Sequence, residues 1–206
     1  MFSGLADWVT DVVDSLGYIG VALLVALENV FPPIPSEIIL PFAGFVARDG
    51  GATLPGMIAA ATVGSLLGAI VLYGIAAWIG PDRLDSFLLR YGKWFRLTPA
   101  DVRRAEGWFD DNADRAVLIC RCVPLLRSLV SIPAGFRRMN LVRFLVLTLI
   151  GSLIWNAALV TAGYVLRDNW EDVEPIISVV QYVVIALIVV GIAWFAWTRL
   201  RPGHAE

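Results

Sequence analysis

The chain is poor in the residues that most often bind metals or form covalent cross-links. Its 206 residues include one histidine, His204, and two cysteines, Cys120 and Cys122. A Cys-x-Cys pair without a nearby histidine cannot complete a four-ligand zinc site, so we expect neither a metal centre nor another cofactor. Both cysteines are interpreted as small apolar fillers. The N-terminus has no basic region ahead of its apolar residues, so we also expect no cleavable signal peptide.

Charge is scarce as well, whereas apolar residues are abundant. Charged residues make up 17% of the chain and hydrophobic residues 58%, and the mean hydropathy is +0.74. Soluble domains are rarely so apolar. The composition therefore predicts an all-α polytopic membrane protein that forms a single membrane domain over residues 1–206.

Residues 28–37 interrupt the first apolar run with two carboxylates, Glu28 and Glu37, and three prolines. A carboxylate at bilayer depth costs roughly 2.5–3.5 kcal/mol on insertion scales, and proline breaks helices. The apolar arms on either side are each shorter than the roughly 20 residues that a full crossing needs. We therefore expect residues 16–48 to form a re-entrant hairpin, which enters to about the midplane and returns.

A second broken segment, residues 116–136, carries Pro124 and Pro133 together with Arg121 and Arg127. It is too short for two crossings and too broken for one, so we expect a second re-entrant hairpin. The remaining predicted segments, in chain order, are an interfacial helix at 1–15, a transmembrane helix at 55–80, a cytoplasmic or interfacial connector at 81–115, and transmembrane helices at 140–167 and 175–199.

Two short pieces recur in the same order and indicate an internal repeat. Each hairpin carries Ala-Gly-Phe near its end, after the break, and the next span carries Gly-Ser-Leu. The pieces are Ala43-Gly44-Phe45 and Gly64-Ser65-Leu66, then Ala134-Gly135-Phe136 and Gly151-Ser152-Leu153. A cytoplasmic C-terminus and an external N-terminus place 12 cations inside and only Arg48 and Arg167 outside, as the positive-inside rule requires. The first hairpin then opens outward and the second inward, which is the inverted repeat of many secondary transporters.

The two predicted hairpin tips carry opposite charge. Glu28 and Glu37 lie at the first tip, and Arg121 and Arg127 lie at the second. Guanidinium groups bind phosphate in bidentate fashion, and a buried carboxyl group can carry a proton. The alternative is that the four residues form structural ion pairs that only hold the hairpins together.

Four further polar residues accompany these charges. Ser36 and Ser128 follow the breaks, so we expect each to cap a returning half-helix, whose N-terminus favours anions. Together with the arginines they predict a site for a phosphate head group. Asn29 and Tyr73 have two open roles, as site contacts or as donors of helix–helix hydrogen bonds.

These residues carry a resemblance to a known family. Three blocks carry it: Glu28-Asn29-x-x-Pro32-Pro33-x-Pro35-Ser36-Glu37, then Gly64-x-x-x-Gly68-x-x-x-x-Tyr73, then Arg121-x-x-Pro124-x-x-Arg127-x-x-x-x-x-Pro133-Ala134-Gly135. They resemble the motifs of the DedA family, also called the SNARE-associated Golgi protein or VTT-domain family. The resemblance extends over residues 16 to 167. The sequence departs from the family pattern at Ala69, Ala77 and Cys122, which leaves the four charged positions intact.

The resemblance implies both a fold and a function. It implies two opposed re-entrant hairpins and the return of undecaprenyl phosphate across the cytoplasmic membrane. It further implies that Glu28, Glu37, Arg121 and Arg127 are the required charged residues. Some family members depend on the proton motive force, and eukaryotic relatives behave as lipid scramblases.

The leading hypothesis is therefore a transporter or flippase, and not an enzyme, in the bacterial cytoplasmic membrane. Arg121, Arg127, Ser36 and Ser128 are the expected substrate-binding residues. We expect a lipid phosphate, membrane lipids and protons as partners and no nucleic acid, and a homo-oligomer stays open. The rival hypotheses are a proton-coupled small-ion antiporter, a general phospholipid scramblase, a membrane phosphatase and a scaffold that transports nothing.

Overall fold

The computed structural model describes residues 2–31, 36–95, 99–124 and 126–166, and these ranges are helical with short turns between them. The helices in chain order are α1 (Phe2–Val30), α2 (Ser36–Arg48), α3 (Leu54–Phe95), α4 (Pro99–Cys120), α5 (Leu126–Leu129), α6 (Ser131–Phe136) and α7 (Leu141–Leu166). The all-α prediction is confirmed for this part of the chain. The predicted span at 175–199 lies outside the described residues.

Two of the described helices are long and apolar enough to cross a membrane. They are the Leu54–Gly80 part of α3 and the whole of α7. Ser15–Val30 and Ile39–Arg48 are apolar but shorter, so neither reaches the roughly 20 residues of a full crossing. The described chain therefore combines two long apolar helices with two short ones.

Two glycines change the direction of long helices. Gly17 in α1 has φ 54° and ψ −125°, and Gly80 in α3 has φ 73° and ψ 165°. Residues with a Cβ rarely adopt positive φ, whereas glycine does so at little cost. Gly17 thus separates the acidic start of α1 from its apolar end, and Gly80 separates the apolar part of α3 from its charged part.

The described helices present apolar side chains outward and bury polar ones. Large apolar side chains are exposed along α1, α3 and α7, among them Ile19, Leu23, Leu27, Val63, Leu67, Ile75, Trp78, Val146, Leu153 and Ile154. The buried polar and charged side chains include Glu28, Asn29, Thr62, Ser65, Arg121, Arg127, Ser128, Ser131, Thr148 and Asn156. An apolar exterior, with polar and charged side chains buried among apolar ones, suits a protein whose surroundings are lipid.

Glycines set how the helices pack. A Cβ on Gly64 of α3 would lie 2.3 Å from the carbonyl oxygen of Ala22 in α1, and one on Gly151 of α7 would lie 2.6 Å from Cβ of Arg121. Small residues of this kind let helix backbones approach closely. In each half of the chain, α1–α3 and α4–α7, the glycine of the Gly-Ser-Leu piece therefore contacts the first helix of its own half or the turn that follows it.

The glycines of the Ala-Gly-Phe pieces make contacts between the halves instead. A Cβ on Gly44 of α2 would lie 2.2 Å from the carbonyl oxygen of Val160 in α7, and one on Gly135 of α6 would lie 2.4 Å from that of Tyr73 in α3. The first half therefore packs α2 against α7 of the second half, and the second half packs α6 against α3 of the first.

Candidate functional site

The centre of the candidate site is an ion pair between the two halves. Glu28 lies in the last turn of α1, and Arg127 lies in the short helix α5, 99 residues later. Nη2 of Arg127 donates a hydrogen bond to Oε2 of Glu28, and both side chains are buried. A buried charge needs a hydrogen-bonded partner of opposite sign, so the pair explains how both residues are tolerated in the interior.

The next residue on each helix continues this contact. The hydroxyl group of Ser128 donates to Oδ1 of Asn29 at 3.0 Å, and Nδ2 of Asn29 donates to the carbonyl oxygen of Ser65 at 3.4 Å. The capping role expected for Ser128 is wrong. Ser128 lies inside α5, and the following helix α6 begins after Val130, which makes no side-chain cap. Its hydroxyl group serves the contact between α5 and α1 instead.

Arg121 lies in the turn after α4 and is 1% exposed. Its Nη2 donates to Oγ of Ser131 at 2.8 Å, and its guanidinium carbon lies 5.6 Å from the ring centroid of Phe144. Cation–π contacts of this length are attractive. Nε of Arg121 is buried without a hydrogen-bond partner. Arg121 and Arg127 are thus both buried, but they have different partners.

Tyr73 links α3 to the loop before α7. Its hydroxyl group donates to the carbonyl oxygen of Met139 at 2.5 Å, and its ring stacks on Phe144 with centroids 5.0 Å apart. Asn29 and Tyr73 both make hydrogen bonds between separate segments, which is one of the two roles open to them. Phe144 also contacts Arg121, so Tyr73 supports the surroundings of that arginine.

A polar contact in the middle of the long helices was not predicted from the sequence. Asn156 of α7 is 0% exposed, and its Nδ2 donates to Oγ1 of Thr62 at 3.3 Å and to Oγ of Ser65 at 3.2 Å. Ser65 in turn accepts from Asn29 through its carbonyl group. The available signal was an amide side chain within an uncharged apolar span, which costs free energy unless it is hydrogen-bonded.

The first hairpin tip is described only in part. Ser36 is the first residue of α2 and is 2% exposed. Residues 32–35 and the side chain of Glu37 lie outside the described part of the structure. The roles of Ser36 as a cap and of Glu37 as a charged partner stay predictions. The described residues that meet at the site are Glu28 and Asn29 from the first hairpin, and Arg127 and Ser128 from the second.

Two exposed ion pairs lie away from this site. Arg137 pairs with Asp110, and Arg143 pairs with Asp114. The Arg137 guanidinium beside Asp110 holds the pKa of that carboxyl group below its usual value. The first pair joins α4 to the end of α6, and the second joins α4 to the first turn of α7. Their exposure limits each pair to about 1 kcal/mol or less.

Comparison with known proteins identifies the family. The VTT domain matches residues 34–165, more than half of the chain. No solved structure matches this chain. Undecaprenyl phosphate transporter A of Staphylococcus aureus is 38% identical over 91% of this chain and 93% of its own length, and the Bacillus subtilis protein of that name is 32% identical over 98% and 96%.

Two further relatives are not named as transporters. The alkaline phosphatase-like protein of Lactococcus lactis subsp. cremoris is 43% identical over 96% of this chain and 95% of its own length. The inner membrane protein YqjA of Escherichia coli is 28% identical over 85% of this chain and 80% of its own length. These matches, the apolar helices and the polar interior agree on one identification: the chain belongs to the VTT-domain family of membrane proteins, known in bacteria as the DedA family.

Proposed function

We propose that the protein moves a lipid phosphate, undecaprenyl phosphate, across the bacterial cytoplasmic membrane. The observation that carries the proposal is the pair of buried arginines, Arg121 and Arg127, where the two halves of an otherwise apolar-faced protein meet. Guanidinium groups bind phosphate well, and burial strengthens that interaction. Two relatives that carry the name undecaprenyl phosphate transporter A align with more than nine tenths of this chain, which supports the same substrate.

In this proposal the phosphate competes with a carboxylate for one arginine. The Glu28 carboxylate accepts a hydrogen bond from Arg127, as a phosphate oxygen would. When phosphate takes this place, the buried carboxylate no longer has the charge of Arg127 to itself, which favours the uptake of a proton by Glu28. Release of the phosphate restores the ion pair and returns the proton. Transport and proton movement are then coupled at Glu28, and Glu37 is the second carboxyl group proposed for this role.

The proposal includes an arrangement of the helices in the membrane. The short apolar helices Ser15–Val30 and Ile39–Arg48 enter from one side as a re-entrant hairpin, and α4 to α6 supply a second hairpin from the other side. The contacts of Gly44 with α7 and of Gly135 with α3 support an inverted repeat, because equivalent glycines pack against the opposite half. The N-terminus lies outside and the C-terminus inside. Only the head group enters the protein, while the polyprenyl tail stays in lipid.

The test is uptake of undecaprenyl phosphate from the outer leaflet of vesicles that contain the purified full chain. Wild-type protein should accelerate its movement to the inner leaflet, with a dependence on the pH gradient. Arg121→Ala and Arg127→Ala should reduce the rate at least about tenfold, since each removes a charge-assisted contact with phosphate. Arg143→Ala, which removes an exposed arginine, is the matched control and should transport normally. Normal transport by both buried-arginine variants would contradict the proposed phosphate site.

The same vesicles distinguish the rival functions. A small-ion antiporter should move ions with pH and be indifferent to the lipid phosphate, and a general scramblase should move phosphatidylcholine as fast as undecaprenyl phosphate. The name of the Lactococcus relative raises hydrolysis as a further candidate. Release of inorganic phosphate from the lipid, measured in the same assay, would favour that activity over transport.

A further inference from the structure

Arg121 is held along one face of α7. A Cβ on Gly151 would lie 2.6 Å from Cβ of Arg121, and the guanidinium carbon lies 5.6 Å from the ring centroid of Phe144. Phe144 and Gly151 are separated by about two turns and therefore share a helix face. The side chain of Arg121 thus begins beside Gly151 and extends toward Phe144.

Thr148 lies on this face between those two contacts. It is 0% exposed, and its Oγ1 has no hydrogen-bond partner. Nε of Arg121 is likewise buried and without a partner. Leaving a buried donor unsatisfied costs about 1–3 kcal/mol, so native proteins seldom leave two such groups unsatisfied in one place. Because Arg121 extends along the face of α7 that carries Thr148, we infer that both groups serve a ligand that binds between the end of α4 and α7.

Ser131 supplies a third donor. Its Oγ is 0% exposed and accepts a hydrogen bond from Nη2 of Arg121 at 2.8 Å. A hydroxyl group that accepts in this way still has its own proton to donate. Arg121 can only donate, so the cluster of Arg121, Ser131 and Thr148 offers three N–H or O–H donors and one fixed positive charge. Such a lining fits an anionic oxygen atom rather than a cation.

The two arginines therefore have different surroundings. The described ion pair of Arg127 is with Glu28, whereas the described hydrogen bond of Arg121 goes to the hydroxyl group of Ser131. We propose that Thr148 and Ser131, together with Nε of Arg121, form an oxyanion subsite that binds one oxygen of a phosphate group. This inference rests on the proposed function and deepens it, because it assigns two uncharged residues to head-group recognition. A lipid phosphate and free inorganic phosphate share the required chemistry.

The test compares Thr148→Val with Thr148→Ser in the full chain reconstituted in lipid nanodiscs. Binding of undecaprenyl phosphate is measured directly, and inorganic phosphate is tested as ligand and competitor. Thr148→Val should weaken phosphate binding about tenfold, as expected for a hydrogen bond to a charged group. Thr148→Ser keeps the hydroxyl group and should bind within about twofold of the wild type. Ser131→Ala should weaken binding to the same degree as Thr148→Val.

A second readout separates recognition from structure. The hydroxyl group of Thr148 has no partner, so Thr148→Val should leave the unfolding midpoint of the ligand-free protein unchanged or raised. Thr161→Val is the matched control, because Thr161 is also a threonine of α7 but lies 13 residues after Thr148, about 20 Å further along the helix. It should bind phosphate like the wild type. A lower ligand-free midpoint for Thr148→Val, or equally weakened binding by Thr161→Val, would overturn the inference.

The outcomes also separate this inference from the proposed function. Wild-type protein that binds neither undecaprenyl phosphate nor inorganic phosphate would defeat both. Wild-type protein that binds the lipid, with unchanged binding by Thr148→Val and Ser131→Ala, would defeat the subsite alone. Binding of inorganic phosphate that depends on Thr148, without competition by the lipid, would keep the subsite and overturn the lipid as its ligand.

Discussion

Glu28 and Arg127 form a buried ion pair although 99 residues separate them in the chain. The pair joins the end of α1 to α5, so it connects the two halves of the chain where the sequence predicts the two hairpin tips. The two residues lie in helices of very different length, since α1 has 29 residues and α5 has four. A short helix is held mainly by its contacts, which makes the pair a determinant of where Arg127 lies.

The first prediction concerns the stability that this pair provides. Glu28→Ala leaves the Arg127 charge buried without its partner and should lower the free energy of unfolding by about 3–5 kcal/mol. The double variant Glu28→Ala/Arg127→Ala should lose less than the sum of the single variants. Unfolding in detergent micelles measures these changes. Arg143→Ala breaks an exposed pair and should change the free energy of unfolding by about 1 kcal/mol or less. Equal losses in Glu28→Ala and Arg143→Ala would contradict the prediction.

The second prediction concerns the neighbouring contact of Asn29 with Ser128. A double-mutant cycle of Asn29→Ala and Ser128→Ala should give a coupling free energy of about 0.5–1.5 kcal/mol, as for a neutral hydrogen bond. The cycle uses the same unfolding measurement. Asn29 paired with Tyr73 provides the comparison, because these two residues share no described bond. Equal coupling in the two cycles would argue against a specific bond between Asn29 and Ser128.

The third prediction concerns close helix packing. A Cβ on Gly163 of α7 would lie 2.2 Å from the carbonyl oxygen of Pro41 in α2. Gly163→Ala must therefore push α2 away and should destabilise the protein by about 1–3 kcal/mol. Gly74→Ala is the matched control, since a Cβ there meets nothing within 4 Å. It should be neutral or stabilise the helix by up to about 1 kcal/mol, and a similar loss at the two positions would refute the packing argument.

The fourth prediction concerns pH and the pair of Asp110 with Arg137. Arg137 lowers the pKa of Asp110 from its usual value of 3.8, so the pair contributes stability above that pH. The contribution is lost as the pH falls through the lowered pKa and Asp110 takes up a proton. The unfolding midpoints of wild type and Asp110→Asn should therefore differ near neutral pH and converge well below pH 3.8. A difference that persists in acid would contradict the assignment.

Much of the architecture could be predicted because membrane chains obey simple rules of length and charge. Prolines and charges within apolar runs identified the breaks near Glu28 and Arg127, and long uncharged runs identified α3 and α7. The expectation that Glu28 lies near an arginine also followed, because a buried carboxylate requires a partner. Which arginine pairs with Glu28 did not follow, since Arg121 and Arg127 are equivalent in charge and differ only in their surroundings.

The uncharged part of the site was harder to predict. Ser128 follows Arg127 and reads as a helix cap, yet its hydroxyl group bonds to Asn29 on another helix. Local sequence indicates local hydrogen bonds, and this bond depends on where a second hairpin lies. The same holds for Thr148 and Asn156, which the sequence shows only as polar residues within an apolar helix. Their surroundings depend on how α4 and α3 pack against α7.

The packing of α2 against α7 also constrains the order in which the protein can mature. Arg48 at the end of α2 donates a hydrogen bond to the carbonyl oxygen of Tyr164, 116 residues further along the chain. At the about 5–20 residues per second of biosynthesis, the first hairpin leaves the ribosome several seconds before its partner exists. During that interval the face of α2 that carries Gly44 has no helix to pack against. The packing of the first half is therefore complete only after α7 has been inserted.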